Sequence, residues 1–193
     1  MSAPSHPAPR ILLPDAPALA VGGRGAVMLT PDGEIEDISL EQAARTARQH
    51  PPILCHRPSV TARLKSAPFA AFDLLELFAF VRPARFCLPT IRGLTEALDL
   101  PMPDSLEDQA QAAVDIAYRL LAELADSVVG EPKGLSDVRG IAWQMARGGW
   151  SWGEGVLAAL GVTDGGRGVA AMRVWERLPD WSEQAPEAPP GNI

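Results

Sequence analysis

Four groups of residues in this 193-residue chain carry side chains and spacings that chemistry can use. Cys55-His56 follows the apolar run Pro52-Ile53-Leu54, where a thiol beside an imidazole suggests a nucleophile or a metal ligand. No second histidine stands at ligand spacing, so the ordinary reading is a strand-end histidine with plain hydrogen bonds. Asp73 and Glu76 lie three apart on one helical stretch and could share a divalent ion. Carboxylates on the polar side of a helix are more simply solvated. Arg82, Arg85 and Arg92 flank that stretch and could meet a phosphate backbone. Their plainer role is a solvated rim pairing with Glu96 or Asp99. Trp150-Ser151-Trp152 could stack on bases, or form the small core of a helical pair beside Gly148-Gly149. Gly22-Gly23-Arg24-Gly25 has the spacing of neither glycine-rich phosphate fingerprint, and reads as a tight turn. Neither a Ser-His-Asp set nor a cysteine zinc cluster presents itself.

These residues are positioned by elements with clear local signals. The centre is Phe72 to Thr90, where Leu74, Leu77, Phe78 and Val81 recur at the spacing of a buried helix face. Pro83 stops that helix, and Thr90 is placed to cap the next. Before it, Ala18–Val21, Ala26–Thr30 and Glu34–Ile38 read as a three-stranded antiparallel meander, with Pro31-Asp32-Gly33 as its hairpin turn. Ser39 caps a helix over Leu40–Arg48, Pro52–His56 reads as a buried strand, and Ser59–Leu64 as a short helix. Ser105 caps the clearest helix, with Asp108 at its third position and an apolar face from Leu106 to Leu124. Two short helices follow at about 135–147 and 153–160, and Ala171–Leu178 is a strand or a helix.

Composition sets outer bounds. Hydrophobic content of 47% and charged content of 21% describe a globular chain, and no apolar run is long enough to cross a membrane. The N-terminus lacks a signal-peptide pattern, so a cytoplasmic location is expected, with Cys55 and Cys87 as buried free thiols. The net charge of −7 opposes a chain whose main task is gripping phosphates. Basic residues nevertheless concentrate between Glu41 and Leu98 (Arg45, Arg48, Arg57, Arg63, Lys65, Arg82, Arg85, Arg92), so any DNA contact belongs to the first half. The strand and helix order gives an α/β fold: a ribonuclease-H-like, three-layer domain at 18–128 followed by a small helical appendage at 133–181. A proline-rich arm at 1–17 and a proline-rich tail at 182–193 are expected to be loose.

Several of these stretches also resemble known families. Val27 to Ile35, Pro52 to Arg57, Phe72-Asp73-Leu74-Leu75-Glu76-Leu77, Leu94 to Leu100 and the helix from Leu106 resemble segments of DnaQ-like (DEDD) 3′–5′ exonucleases. The departures fall on the metal ligands. Ala18–Gly23 lacks the Asp-x-Glu pair, Thr61 stands at the second aspartate, and Pro103 stands where a histidine would be, with Asp108 alone matching. A two-metal site needs several carboxylates, so the resemblance implies an inactive nuclease fold. The central stretch, together with Trp175-Glu176-Arg177-Leu178-Pro179-Asp180-Trp181, resembles the N-terminal region of DinG-like ATP-dependent DNA helicases of α-proteobacterial type. That resemblance implies an accessory region that scaffolds or positions DNA for a helicase motor, in cis or in trans. ATP and magnesium belong to that motor; the chain stops at Ile193 with no Walker lysine, and no cofactor is expected in it. The alternatives are a free-standing protein-interaction module, or a divergent exonuclease using Asp73, Glu76 and Asp108.

Overall fold

A computed structural model describes residues 8–129 and 134–162. The first three strands are β1 (Ala18–Val21), β2 (Ala26–Leu29) and β3 (Ile35–Ile38). They form the expected meander, Ala18 opposite Leu29 and Leu29 opposite Ile35. Two very short strands, β4 (Ile53–Leu54) and β5 (Phe72–Asp73), continue the sheet in parallel, giving the order β3-β2-β1-β4-β5. The fold is therefore α/β, with a five-stranded mixed sheet and seven helices among the described residues.

Side-chain alternation along the strands divides the core into two layers. Ala18, Ala20, Val27, Leu29 and Ile53 face one cluster; Leu19, Val21, Ala26, Met28 and Leu54 face the other. The second cluster is closed by α1 (Leu40–Gln49), through Ala43, Ala44 and Ala47, and by Val60 of α2 (Arg57–Arg63). The first is closed by α3 (Leu74–Val81), α4 (Ile91–Ala97) and α5 (Leu106–Ser127). Both faces of β1 and β2 are thus covered, which is why all eight of their residues are buried although the strands are antiparallel. The outer strand β3 carries Glu36 and Asp37 and stays largely exposed, a charged edge that resists pairing with another chain.

Local chemistry sets the helix starts. Ser39 and Ser105 each form a reciprocal capping box, with Gln42 and Asp108 respectively, and the Thr90 hydroxyl accepts from Gly93 N–H. The Asp108 carboxyl is held below its ordinary range chiefly by the Ser105 backbone N–H, then by the Ser105 hydroxyl and the Asp104 N–H. Helix α3 ends at Val81, just ahead of Pro83, as expected.

Two expectations need correction. Residues 8–17 of the proline-rich arm are packed: Ile11, Leu13 and Ala16 lie against the main core, and Arg10 N–H donates to Ala158 O at 3.1 Å. Gly155 permits that contact, since a Cβ there would stand 2.8 Å from the Leu12 carbonyl oxygen. The second concerns α6 (Leu135–Arg147) and α7 (Gly153–Ala159), which share the core of the sheet domain. Trp152 is almost wholly buried, packs edge-on against Phe72 at 5.3 Å, and donates its Nε1–H to Asp73 O at 2.8 Å. The Ala171–Leu178 segment, the Trp175–Trp181 motif, residues 1–7 and the tail at 182–193 lie outside the described residues.

Replacing Trp152 by Phe keeps the ring but orphans the Asp73 carbonyl. The expected loss is about 1–3 kcal/mol, read as a lower urea midpoint. An unchanged midpoint would mean that the indole bond carries no weight.

Candidate functional site

The site begins with a buried carboxylate. Asp73, expected on the solvated side of a helix, is 5% exposed. It stands one residue before α3 as the N-cap, so its side chain turns inward instead of following the helical wheel. Oδ1 accepts from Leu75 N–H and His56 N–H, both at 3.0 Å, and Oδ2 accepts from Arg57 N–H at 2.7 Å. One side chain therefore starts α3 and also ties down the beginning of α2, sixteen or more residues earlier.

His56 has φ of 59°, a left-handed conformation that costs a non-glycine residue about 1–2 kcal/mol. The two bonds from Asp73 hold that backbone in place. The His56 ring then meets Ser59, Nδ1 and Oγ lying 2.5 Å apart.

This turn forms one wall of a cleft of about 430 Å³. The floor is the carboxyl-terminal half of β1, Leu19–Val21, with Cys55 following β4. Helix α2 supplies His56, Ser59, Val60 and Arg63; the opposite wall is Pro89–Arg92 at the start of α4, with Gln109 from the first turn of α5. Gly93 allows the α4 wall to fold this tightly, because a Cβ there would stand 2.6 Å from Leu88 Cβ. The cleft lies beyond the carboxyl ends of the neighbouring parallel strands β1 and β4, the place where open α/β sheets commonly bind ligands. Its size falls within the roughly 300–1,000 Å³ of ligand sites.

The polar lining of this cleft is cationic and neutral. Arg63, Arg92, His56, Ser59, Thr90 and Gln109 face it, with no carboxylate among the lining residues. Arg63 Nη1–H donates to Val21 O and Arg92 Nη1–H to Pro103 O, each at 2.9 Å.

The three arginines singled out in the sequence do not share one surface. Arg82 is committed to structure: it forms a two-pronged pair with Glu123, at 2.9 and 2.8 Å, and its Nη1–H donates to Ala97 O at 2.6 Å. Its partner is thus Glu123, where Glu96 or Asp99 was expected. The Glu123 hydrogen bond raises the Arg82 pKa further. Arg82 and Arg85 line a separate groove of about 650 Å³ with Phe86. Only Arg92 reaches the cleft, where it faces Arg63, a residue that has no local sequence signal.

Asp73, Glu76 and Asp108 are engaged separately. Glu76 accepts from Trp150 Nε1–H at 3.1 Å and lies 3.7 Å from Arg57, while Asp108 closes its capping box. No group of three or more His, Cys, Asp or Glu suited to a metal ion occurs among the described residues. Gly22-Gly23-Arg24-Gly25 is a turn, closed by Gly22 N–H donating to Gly25 O. The thiols of Cys55 and Cys87 are half-buried rather than fully enclosed. Burial, then the Asp73 charge, pushes Cys55 up to about 12, which leaves it a neutral thiol and a poor nucleophile at pH 7.

No family model, curated protein or solved structure matches the chain. Among the described residues no helix is long and apolar enough to cross a membrane.

Two outcomes follow from this geometry. Asp73→Ala leaves buried N–H groups at the starts of α2 and α3 without an acceptor, and is expected to cost about 3 kcal/mol in denaturant unfolding. A loss under about 0.5 kcal/mol would contradict the tie between the two helices. Because folding raises the Cys55 pKa from 9.0 to about 12, its contribution is whole below pH 9 and declines as pH rises toward 12. Cys55→Ala is expected to flatten the alkaline fall in stability; an identical pH profile would refute it.

Proposed function

We propose that this chain is a non-catalytic, ribonuclease-H-like accessory region of a DinG-like ATP-dependent DNA helicase. Its role is to position single-stranded DNA for a motor that lies in cis or in trans. The observation that carries the reading is the sheet order β3-β2-β1-β4-β5, with its first three strands antiparallel and the next two parallel to β1. That is the order expected of an exonuclease-like sheet, and its cleft opens beside β1 and α2, where such an enzyme would gather its acids. Here β1 offers Ala18-Leu19-Ala20-Val21, α2 offers Thr61, and the cleft carries arginines instead. A cationic cleft on a chain of net charge −7 is a local feature, suited to holding phosphates rather than to cutting between them.

A second reading rests on the loop between α3 and α4. Phe86 is 86% exposed and Leu88 54% exposed beside the groove of Arg82 and Arg85, a surface that suits a docked protein partner.

Purified protein is expected to bind single-stranded oligonucleotide with an affinity that falls as salt rises, and to leave the strand intact in magnesium. Magnesium-dependent degradation that Asp108→Ala abolishes would overturn the non-catalytic reading. Absence of oligonucleotide binding, with capture of a protein partner that Phe86→Ser abolishes, would favour the interaction module.

A further inference from the structure

We infer that the cleft between α2 and the start of α4 is a metal-independent phosphate clamp, in which Arg63 and Arg92 grip a backbone phosphate of a single-stranded nucleic acid from opposite walls. It rests on the preceding reading only for the source of the phosphate. The clamp itself follows from the two side chains.

Arg63 and Arg92 are far apart in sequence and come from different helices, yet both line the same cleft. Each has one Nη fixed on a backbone carbonyl, Val21 and Pro103 respectively. That leaves most of the five donors of each guanidinium for another acceptor, in an orientation already set. Neither forms an ion pair among the described residues, in contrast to Arg82, which is neutralised by Glu123.

The nearest acids are turned away. Asp73 spends both oxygens on backbone N–H groups of His56, Arg57 and Leu75, and Asp108 faces Ser105 and Asp104. The floor is apolar, from Leu19 to Val21, which strengthens charge attraction at the site. Two cations facing one cavity without carboxylates repel each other unless an anion sits between them. Phosphate matches the forked donors of both.

The test uses the full chain in EDTA, with a fluorescent oligothymidylate of about a dozen nucleotides as probe, and calorimetry with inorganic phosphate and with thymidine monophosphate. The double variant Arg63→Ala/Arg92→Ala is expected to weaken oligonucleotide binding by about tenfold or more. It should also reduce the log–log salt slope by about 1.4, two phosphate contacts at about 0.7 each. Losing the carbonyl bonds could itself disturb the fold, so Gln109→Glu provides a second variant. It puts a carboxylate in the cleft at a helix start that favours acids, and is expected to weaken binding by about threefold or more. Arg45→Ala, far from the cleft in an exposed helix pair, serves as control.

If both cleft variants bind the oligonucleotide like the unaltered chain, the clamp is wrong while the DNA reading stands. If the unaltered chain ignores the oligonucleotide but binds free phosphate or the nucleotide, and the double variant does not, the clamp holds a small ligand and its nucleic-acid source is wrong. If none of the probes binds, the clamp is overturned.

Discussion

The buried carboxylate of Asp73 is the constraint on which the rest of the site depends. Its two oxygens take three backbone N–H groups, and its carbonyl takes the indole proton of Trp152. Four pieces of chain meet there: the end of β5, the starts of α2 and α3, and the approach to α7. A buried carboxylate is tolerable only when its charge is met by donors in good geometry, and backbone N–H groups at two helix starts meet it. The same bonds hold His56 in its left-handed conformation and so fix the α2 wall of the cleft.

Around that knot, each layer of the fold serves the cleft. The sheet places the ends of β1 and β4 side by side, α2 lifts Arg63 over the floor, and the sharp turn ahead of Gly93 brings Arg92 across from it. Helix α5 spans the face behind, packing on β1, β2, α3, α4 and α7, and its first turn supplies Gln109. The arginine that looked most available in sequence, Arg82, instead joins α3 to α5 through Glu123. Charge that reads as a binding surface in sequence is here divided between a structural tie and a cleft.

What sequence revealed was local, and what it concealed was long-range. Meander, capping serines, Thr90 and the buried face of Leu74, Leu77 and Phe78 all follow from neighbours within about one helical turn. The Arg82–Glu123 pair spans 41 positions and the Trp152–Asp73 bond 79, beyond the reach of any pattern. Asp73 was misread for a simpler reason. A helical wheel places it on a polar flank, yet it stands one residue outside the helix, where an N-cap points inward. Proline content made residues 8–17 read as loose, although Ile11 and Leu13 had the side chains to reach the core. The missing carboxylates of β1 were legible throughout; Arg63, which lines the cleft beneath them, was not.

The most direct test of a refitted cleft is a crystal structure of the chain with a short oligothymidylate, grown with magnesium present. The account predicts a phosphate between the guanidinium groups of Arg63 and Arg92, close to the Leu19–Val21 floor, with no metal ion bridging it. A strand bound elsewhere, or a phosphate held in the cleft through magnesium, would contradict it.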